Sequence, residues 1–224
     1  MKQTIGYYPG YSTLAQQSFW DEATRSVVSK RLDPPPPLRF FGPGEGERMQ
    51  AVCNRILPQD DRRHDRRIPI VPEIDKRLYE RSGPGYRFAD MPPDGEAYHM
   101  GLRAIDEIAH HLFQHEFLRL GNLERDRVLF TLHDESPPAA VAIFQRMSVR
   151  HFWLMLVNDV VQVYYAHPWA WDEIGFGGPA YPRGYMRLER GEPEPWEKPE
   201  RRYAWTAPSD SLSGEFRKLP GSHL

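Results

Sequence analysis

A chain of 224 residues with 27% charged and 40% hydrophobic residues and a mean hydropathy of −0.66 has room for one sizeable globular domain with a long extension, or for two small domains. A formal net charge of −2 provides no global basic field for nucleic acid or anionic lipid, and the longest apolar run, residues 152–157, is far too short to span a bilayer. The single cysteine, Cys53, excludes an intramolecular disulfide, and the 22 prolines cannot all lie inside helices, because proline lacks the backbone donor.

Residues 6–11 form an aromatic lead containing Gly and Pro. Thr13 and Gln16 then stand at capping-box spacing. The pattern predicts a helix to about Arg31, with Phe19, Ala23 and Val27 on its apolar face. The prolines at 34–37 end it and favour polyproline II. A second helix is predicted over 45–57, with Met49, Val52, Cys53, Ile56 and Leu57 on one stripe and Pro58 as its stop. Residues 59–67 interleave Asp and Arg and read as a solvated, internally paired loop. Pro72 suits the first turn of a short helix carrying Ile74 and Leu78.

After a Gly/Pro loop at 82–93, the spacing predicts the longest helix over 94–120. Tyr98, Leu102, Ile105, Ala109, Leu112, Phe117 and Leu120 mark its buried face, and Gly121 is a left-handed stop. A shorter helix is expected at 124–134. Ser136 and Pro137 open a last helical region that runs, with a break near Ser148, to about Tyr165. Its stretch 152–163 is apolar on most sides, which predicts a central position. No segment alternates as a strand does. The expected fold class is therefore all-α: an irregular helical bundle over residues 1–165, then an extended Pro/Gly/aromatic C-terminal arm over 166–224.

That arm is nearly sixty residues long, about four times the length at which structureless loops become unusual. Disordered segments are poor in aromatics, whereas this one carries Trp169, Trp171, Phe176, Tyr181, Tyr185, Trp196, Tyr203 and Trp205. Such rings need a surface to pack on. Trp, Tyr and Arg are also the residues enriched at binding hot spots. The candidate partner-binding residues are thus His167, Trp169, Trp171, Phe176, Tyr181, Arg183, Tyr185, Trp196 and Trp205. The competing arrangement folds the arm back over the chain's own helices.

Candidate chemistry is sparse. Glu107, His110, His111 and His115 lie on one predicted helix, and the i, i+4 spacing of His111 and His115 would suit a metal. Glu107 and His110 also have the Glu-x-x-His spacing of di-iron bundles, but those require a second such motif and none is present. Surface or interhelical histidines are the preferred reading, with an independent metal enzyme as the alternative. The acidic loop containing Asp60, Asp61, His64 and Asp65 carries as many arginines, unlike a metal loop. Cys53 lies on an apolar stripe with no base nearby. The glycines at 175, 177 and 178 follow no strand and meet Pro179, so they form no dinucleotide fingerprint. No catalytic, cofactor-binding or metal-binding residue is assigned to the chain.

The run His167-Pro168-Trp169-Ala170-Trp171-Asp172-Glu173-Ile174-Gly175-Phe176-Gly177-Gly178-Pro179-Ala180-Tyr181-Pro182-Arg183-Gly184-Tyr185 resembles the tail signature of the gluconate 2-dehydrogenase subunit 3 family. Asn54-Arg55-Ile56-Leu57-Pro58 resembles that family's Asp-x-Ile-(Ile/Leu)-Pro element, with asparagine nearby. Phe152-Trp153 followed by Tyr164-Tyr165 is similar to its closing helix. The resemblance runs over most of residues 6–207. It implies a small helical subunit, without catalytic residues of its own, beside a large flavoprotein of the glucose–methanol–choline oxidoreductase type. That partner holds FAD and oxidises a sugar or sugar acid, and a cytochrome or other electron acceptor takes the electrons onward. The small subunit supports folding, stability and often export of its partner. A general helical scaffold or chaperone is the remaining alternative. Exported relatives carry a twin-arginine leader, and this sequence begins Met1-Lys2-Gln3. The expectation is a cytoplasmic complex, or a periplasmic one if the partner carries the export signal. The sequence also resembles the leaderless branch found beside dehydrogenases of glucosides, including those oxidising the C3 hydroxyl.

Overall fold

The structure, a computed structural model, describes residues 12–174, 176, 178 and 179, without the side chains of Gln16 and Phe19. These residues form seven α-helices and no β-strand, joined by short 3-10 turns. No helix among them is long and apolar enough to cross a membrane. They divide into two compact units, one of Pro34–Tyr164 and one that combines the chain up to Asp33 with the chain from Tyr165 onward.

The Pro34–Tyr164 unit holds α2 (Pro43–Ile56), α3 (Ile70–Tyr79), α4 (Asp94–Phe113), α5 (Asn122–His133) and most of α6 (Val149–Tyr165). Helix α2 starts with proline in its first turn, and Glu45 accepts the Gly42 N–H at 3.3 Å. Met49, Val52 and Cys53 are buried as their stripe predicts. Burial pushes the Cys53 thiol well up, and the charge of Asp159 adds to this, so the side chain behaves as a small hydrophobe. Pro72 sits in the first turn of α3, and Ile74 and Leu78 are buried.

Helix α4 is the central element. Nine of its residues are buried, against four on α6. The apolar run at 152–163 thus does not make α6 central: Leu154 and Val161 are 42% and 37% exposed. Apolar composition alone does not select the middle of a bundle. Close approach does, and α4 supplies it with Ala97, Gly101, Ala104 and Ala109. A Cβ at Gly101 would lie 1.9 Å from the ring of Phe152 on α6, so glycine is what lets that ring in.

The long helix also stops early. Gln114 takes a left-handed conformation (φ 59°) and ends α4 at Phe113. Asp106 then accepts the Phe117 N–H at 3.0 Å, and Arg125 donates to the carbonyls of Phe117 and Leu118 at 3.2 and 2.6 Å. These bonds stabilise a 3-10 turn, Phe117–Arg119, that buries Phe117 and Leu120 without extending the helix. Gly121 caps the start of α5, with Glu124 accepting its N–H at 2.8 Å, rather than ending α4. Residues 137–141 are not helical. Ser148 begins α6 and accepts the His151 N–H at 3.3 Å, so the expected break is a full helix start. The Asp/Arg loop is clamped by Gln59, whose side chain exchanges two hydrogen bonds with the backbone of Ile68 at 3.1 and 2.7 Å.

The second unit contains a 3-10 turn (Thr13–Phe19), α1 (Glu22–Lys30) and α7 (Pro168–Ile174). In place of one helix to Arg31, the chain breaks at Trp20 because Asp21 caps α1 through the Thr24 N–H at 2.8 Å. The buried residue of α1 is Val28; Ala23 and Val27 are exposed. Trp20, Val28 and Trp171 form a small core with Leu14 against it. Thr13 donates its N–H to Asp172 at 2.7 Å and its hydroxyl to the Phe176 carbonyl at 3.0 Å. Gly178, at φ +82°, passes so close to the Trp20 ring that a Cβ would lie 2.9 Å from it. Residues 12–33, which the sequence reading places in the helical domain, therefore group with the segment after Tyr165. The start of the expected arm is itself helical, in a turn too short to show periodicity.

Asp75 is fully buried and accepts the N–H groups of Arg39, Phe40 and Phe41 at 2.8, 2.9 and 2.8 Å. Asp75→Ala should lower unfolding stability by about 3 kcal/mol in urea titrations, because three backbone donors, that of Phe41 fully buried, lose their acceptor. Gly101→Ala should cost about 1–2 kcal/mol despite the better helix propensity of alanine, and Phe152→Leu in the same chain should recover part of the loss.

Candidate functional site

Residues 82–93, between α3 and α4, form a ridge that borders two clefts. The ridge begins where Arg81 takes φ 53°, a left-handed conformation that costs a non-glycine residue about 1 kcal/mol. The Ser82 N–H returns to the Arg77 carbonyl at 3.0 Å and closes the turn. Tyr86 and Phe88 then project outward, 69% and 45% exposed, with rings edge-to-face at 6.1 Å. Phe88 stacks on His151 of α6 at 3.8 Å and 1°. Asp90 holds the same imidazole, Nδ1 lying 2.8 and 2.9 Å from its two oxygens, and the Asp90 carbonyl accepts the Ser148 N–H at 3.2 Å. The ridge is thus fastened to the start of α6 by a ring stack, a side-chain hydrogen bond and a backbone bond.

The first cleft, about 370 Å³, lies between the ridge and α6. Tyr86, Phe88, Met91, Leu154 and Met155 line it with apolar surface, and Asn158 and Gln162 add amides. At its polar end Arg77 donates to Asp159 at 2.5 Å and to Asp94 at 2.7 Å, and the Tyr98 hydroxyl donates to the same Asp159 oxygen at 2.6 Å. Burial raises the Asp159 carboxyl above its ordinary range, against the lowering effect of Tyr98 and Arg77. Burial pulls Arg77 down, but the Asp159 charge and the Asp94 bond outweigh it and leave the guanidinium above its ordinary value. Tyr98 is pushed well up by burial and by Asp159. With two donors already on one oxygen, Asp159 serves as a bolt between α3, α4 and α6.

The second cleft, about 1090 Å³, lies against the first turn of α4 and shares Tyr86 and Arg87 of the ridge, with Arg77 and Asp94, with the first. Arg81, Arg87 and Arg103 line it together with Phe40 and His99. Its acidic groups are engaged elsewhere: Asp94 with Arg77 at 2.7 Å, and Glu96 near Arg146 at 3.8 Å. His99 stacks on Phe40 at 4.6 Å and pairs with Glu45 at 2.7 Å.

Of the sequence-predicted residues, those that the structure describes line neither cleft. His167 and Trp171 are 6% and 5% exposed, inside the unit built from the two ends of the chain. The Trp171 indole donates to the Tyr165 carbonyl at 2.6 Å, and Arg31 lies 5.5 Å from its ring centroid. Trp169 is half-buried and packs near His167 at 4.6 Å. Phe176 is 38% exposed and meets Trp171 edge-on at 5.4 Å. Tyr181, Arg183, Tyr185, Trp196 and Trp205 lie outside the described residues. Glu107, His110, His111 and His115 are all exposed, and the end of α4 at Phe113 breaks the i, i+4 alignment of His111 with His115 on which a metal reading rests. Among the described residues no three His, Cys, Asp or Glu side chains cluster as a metal requires.

Sequence reasoning missed the ridge because Asp90 and His151 are 61 residues apart. The usable signal was Tyr86 and Phe88 within a Gly/Pro loop, the same pattern that drew attention to the C-terminal segment. The His151 bond, with its charge as a further contribution, holds the Asp90 carboxyl below the ordinary carboxylate value. A depressed folded value means that the contact stabilises fully above the ordinary pKa and is lost as pH falls through the folded one. Carboxyl-detected NMR titration should place the Asp90 midpoint below that of a free aspartate, and His151→Ala should move it up toward that value.

The family described as gluconate 2-dehydrogenase subunit 3 matches residues 43–178, from the first residue of α2 to the glycine that packs on Trp20. No curated protein and no solved structure matches the chain. A match over more than half of the sequence, spanning α2 to α7, shows that the chain belongs to the gluconate 2-dehydrogenase subunit 3 family.

Proposed function

We propose that the chain is the non-catalytic small subunit of an FAD-dependent sugar dehydrogenase complex, required for the folding, stability or activity of a large flavoprotein of the glucose–methanol–choline type. The family match over α2–α7 carries this reading. In it, FAD and the oxidation of a sugar hydroxyl belong to the partner, with the C3 hydroxyl of a glucoside as the position to test first. Electrons pass onward through the partner or a cytochrome. The complex works in the cytoplasm, or in the periplasm where the partner supplies the export signal. The aromatic and arginine-rich segment from residue 180 onward adds contact surface to the flavoprotein, in keeping with its composition. His167 and Trp171, being buried in their own unit, position that segment rather than touch the partner directly.

The test must leave α7 in place, because Trp171 completes the core with Trp20 and Val28. A chain ending at Pro179 should keep its helical circular dichroism. Co-expressed with the flavoprotein, it should bring down markedly less flavin than the full chain. Equal recovery of active flavoprotein would remove residues 180–224 from the interface. Dye-linked sugar oxidation by the isolated full chain would remove the accessory role itself.

A further inference from the structure

The ridge at residues 82–93 combines features that a solvated loop does not need. Two large rings, Tyr86 and Phe88, stand exposed on it, although burial of such rings is among the largest single contributions to any interface. Phe88 is nonetheless held in place by its stack on His151, which Asp90 holds in turn. A ring held in an exposed position loses little entropy when something covers it. The helix face bordering the small cleft continues the pattern. Leu154, Asn158, Val161 and Gln162 of α6 are exposed and none is charged, and depletion of charge marks the core of binding patches.

The second cleft is cationic. The guanidinium groups of Arg81, Arg87 and Arg103 have no ion pair or hydrogen bond among the described residues, whereas Arg77, Asp94, Glu96 and His99 beside them all have charged neighbours. Arg81 occupies a backbone conformation that glycine adopts freely, so this turn carries a guanidinium where its geometry favours none. Arginine is suited to carboxylates, which it can bind through two parallel hydrogen bonds.

Resting on the subunit reading above, we propose that this ridge is a docking surface for the flavoprotein partner: an apolar side chain of the partner enters the cleft between the ridge and α6, and partner carboxylates meet Arg81, Arg87 and Arg103 in the second cleft. The occupant is a protein surface that pairs an apolar anchor with acidic groups. The residues that line both clefts belong to the Pro34–Tyr164 unit.

The experiment uses the full chain co-expressed with a tagged flavoprotein, and reads the amount of chain retained per flavin at low and high NaCl. Three variants are compared with wild type. Arg87→Glu/Arg103→Glu reverses charge in the second cleft and leaves the constrained Arg81 untouched. Tyr86→Ala/Phe88→Ala removes the rings. Arg119→Glu/Arg127→Glu makes the same charge change at exposed residues that line neither cleft. Circular dichroism and melting temperature of each free chain monitor folding. The first two variants should reduce retention by about tenfold while the third stays near wild type. The charge-reversed chain should also lose most of the salt sensitivity of wild type. Retention of both cleft variants at wild-type levels would overturn the docking surface and leave the subunit reading intact, as would an equal loss in the Arg119/Arg127 control. Failure of the wild-type chain to associate with the flavoprotein would overturn both.

Discussion

Asp75 has no exposed surface and gives its two oxygens to three backbone N–H groups. Those donors belong to Arg39, Phe40 and Phe41, so a carboxylate on α3 fixes the strand of chain that leads into α2. The order this imposes travels further. Phe41 packs edge-on to Tyr98 at 5.9 Å, Tyr98 donates to Asp159, and Asp159 accepts from Arg77. Arg77 is two residues beyond Asp75 on α3. The circuit leaves α3, passes through the entry to α2, then α4 and α6, and returns to α3. Buried charges are costly unless paired and hydrogen-bonded, and here Arg77 pairs with Asp159 while Tyr98 donates to the same carboxylate oxygen. Removing one member leaves the others desolvated, which makes the arrangement specific as well as stable.

Most helices were legible because their buried faces have the spacing of a helix: Met49, Val52 and Cys53 on α2, Ile74 and Leu78 on α3, Tyr98, Leu102, Ile105 and Ala109 on α4. The errors cluster where a polar side chain captures backbone. Asp106 takes the Phe117 N–H and turns what looks like two further helical turns into a 3-10 corner. Asp21 does the same at the start of α1. Apolar residues at 117 and 120 are buried on either geometry, so hydrophobic period cannot tell them apart. The apolar stretch of α6 misled for another reason: an uncharged helix face belongs in the core of a monomer or at an interface, and composition does not distinguish the two.

For the site, the sequence supplied the principle but not the surface that each ring meets. Aromatic rings in Gly/Pro-rich chain do require a surface, and at Trp171 the surface is the chain's own Trp20 and Val28. At Tyr86 and Phe88 the rings remain exposed on a fastened ridge. No sequence spacing reveals which case holds, because the answer depends on residues about 150 and 60 positions away, brought close only by the fold. Placement of the histidines was equally a tertiary matter: a single left-handed residue, Gln114, separates His111 from His115.

The link between Thr13 and Asp172 spans 159 residues, and it has a consequence for how the protein is born. Translation delivers Trp20 early and Trp171 late. At ribosomal speeds of roughly 5–20 residues per second, the first tryptophan waits roughly 8–30 seconds for the second. Throughout that interval the Trp20 indole lacks the ring that completes its core. Everything from Pro34 to Tyr164 can settle meanwhile as its own compact unit. The two ends meet last, so maturation of this polypeptide finishes at its seam, and the seam is where a trigger-type holdase would have the longest opportunity to act.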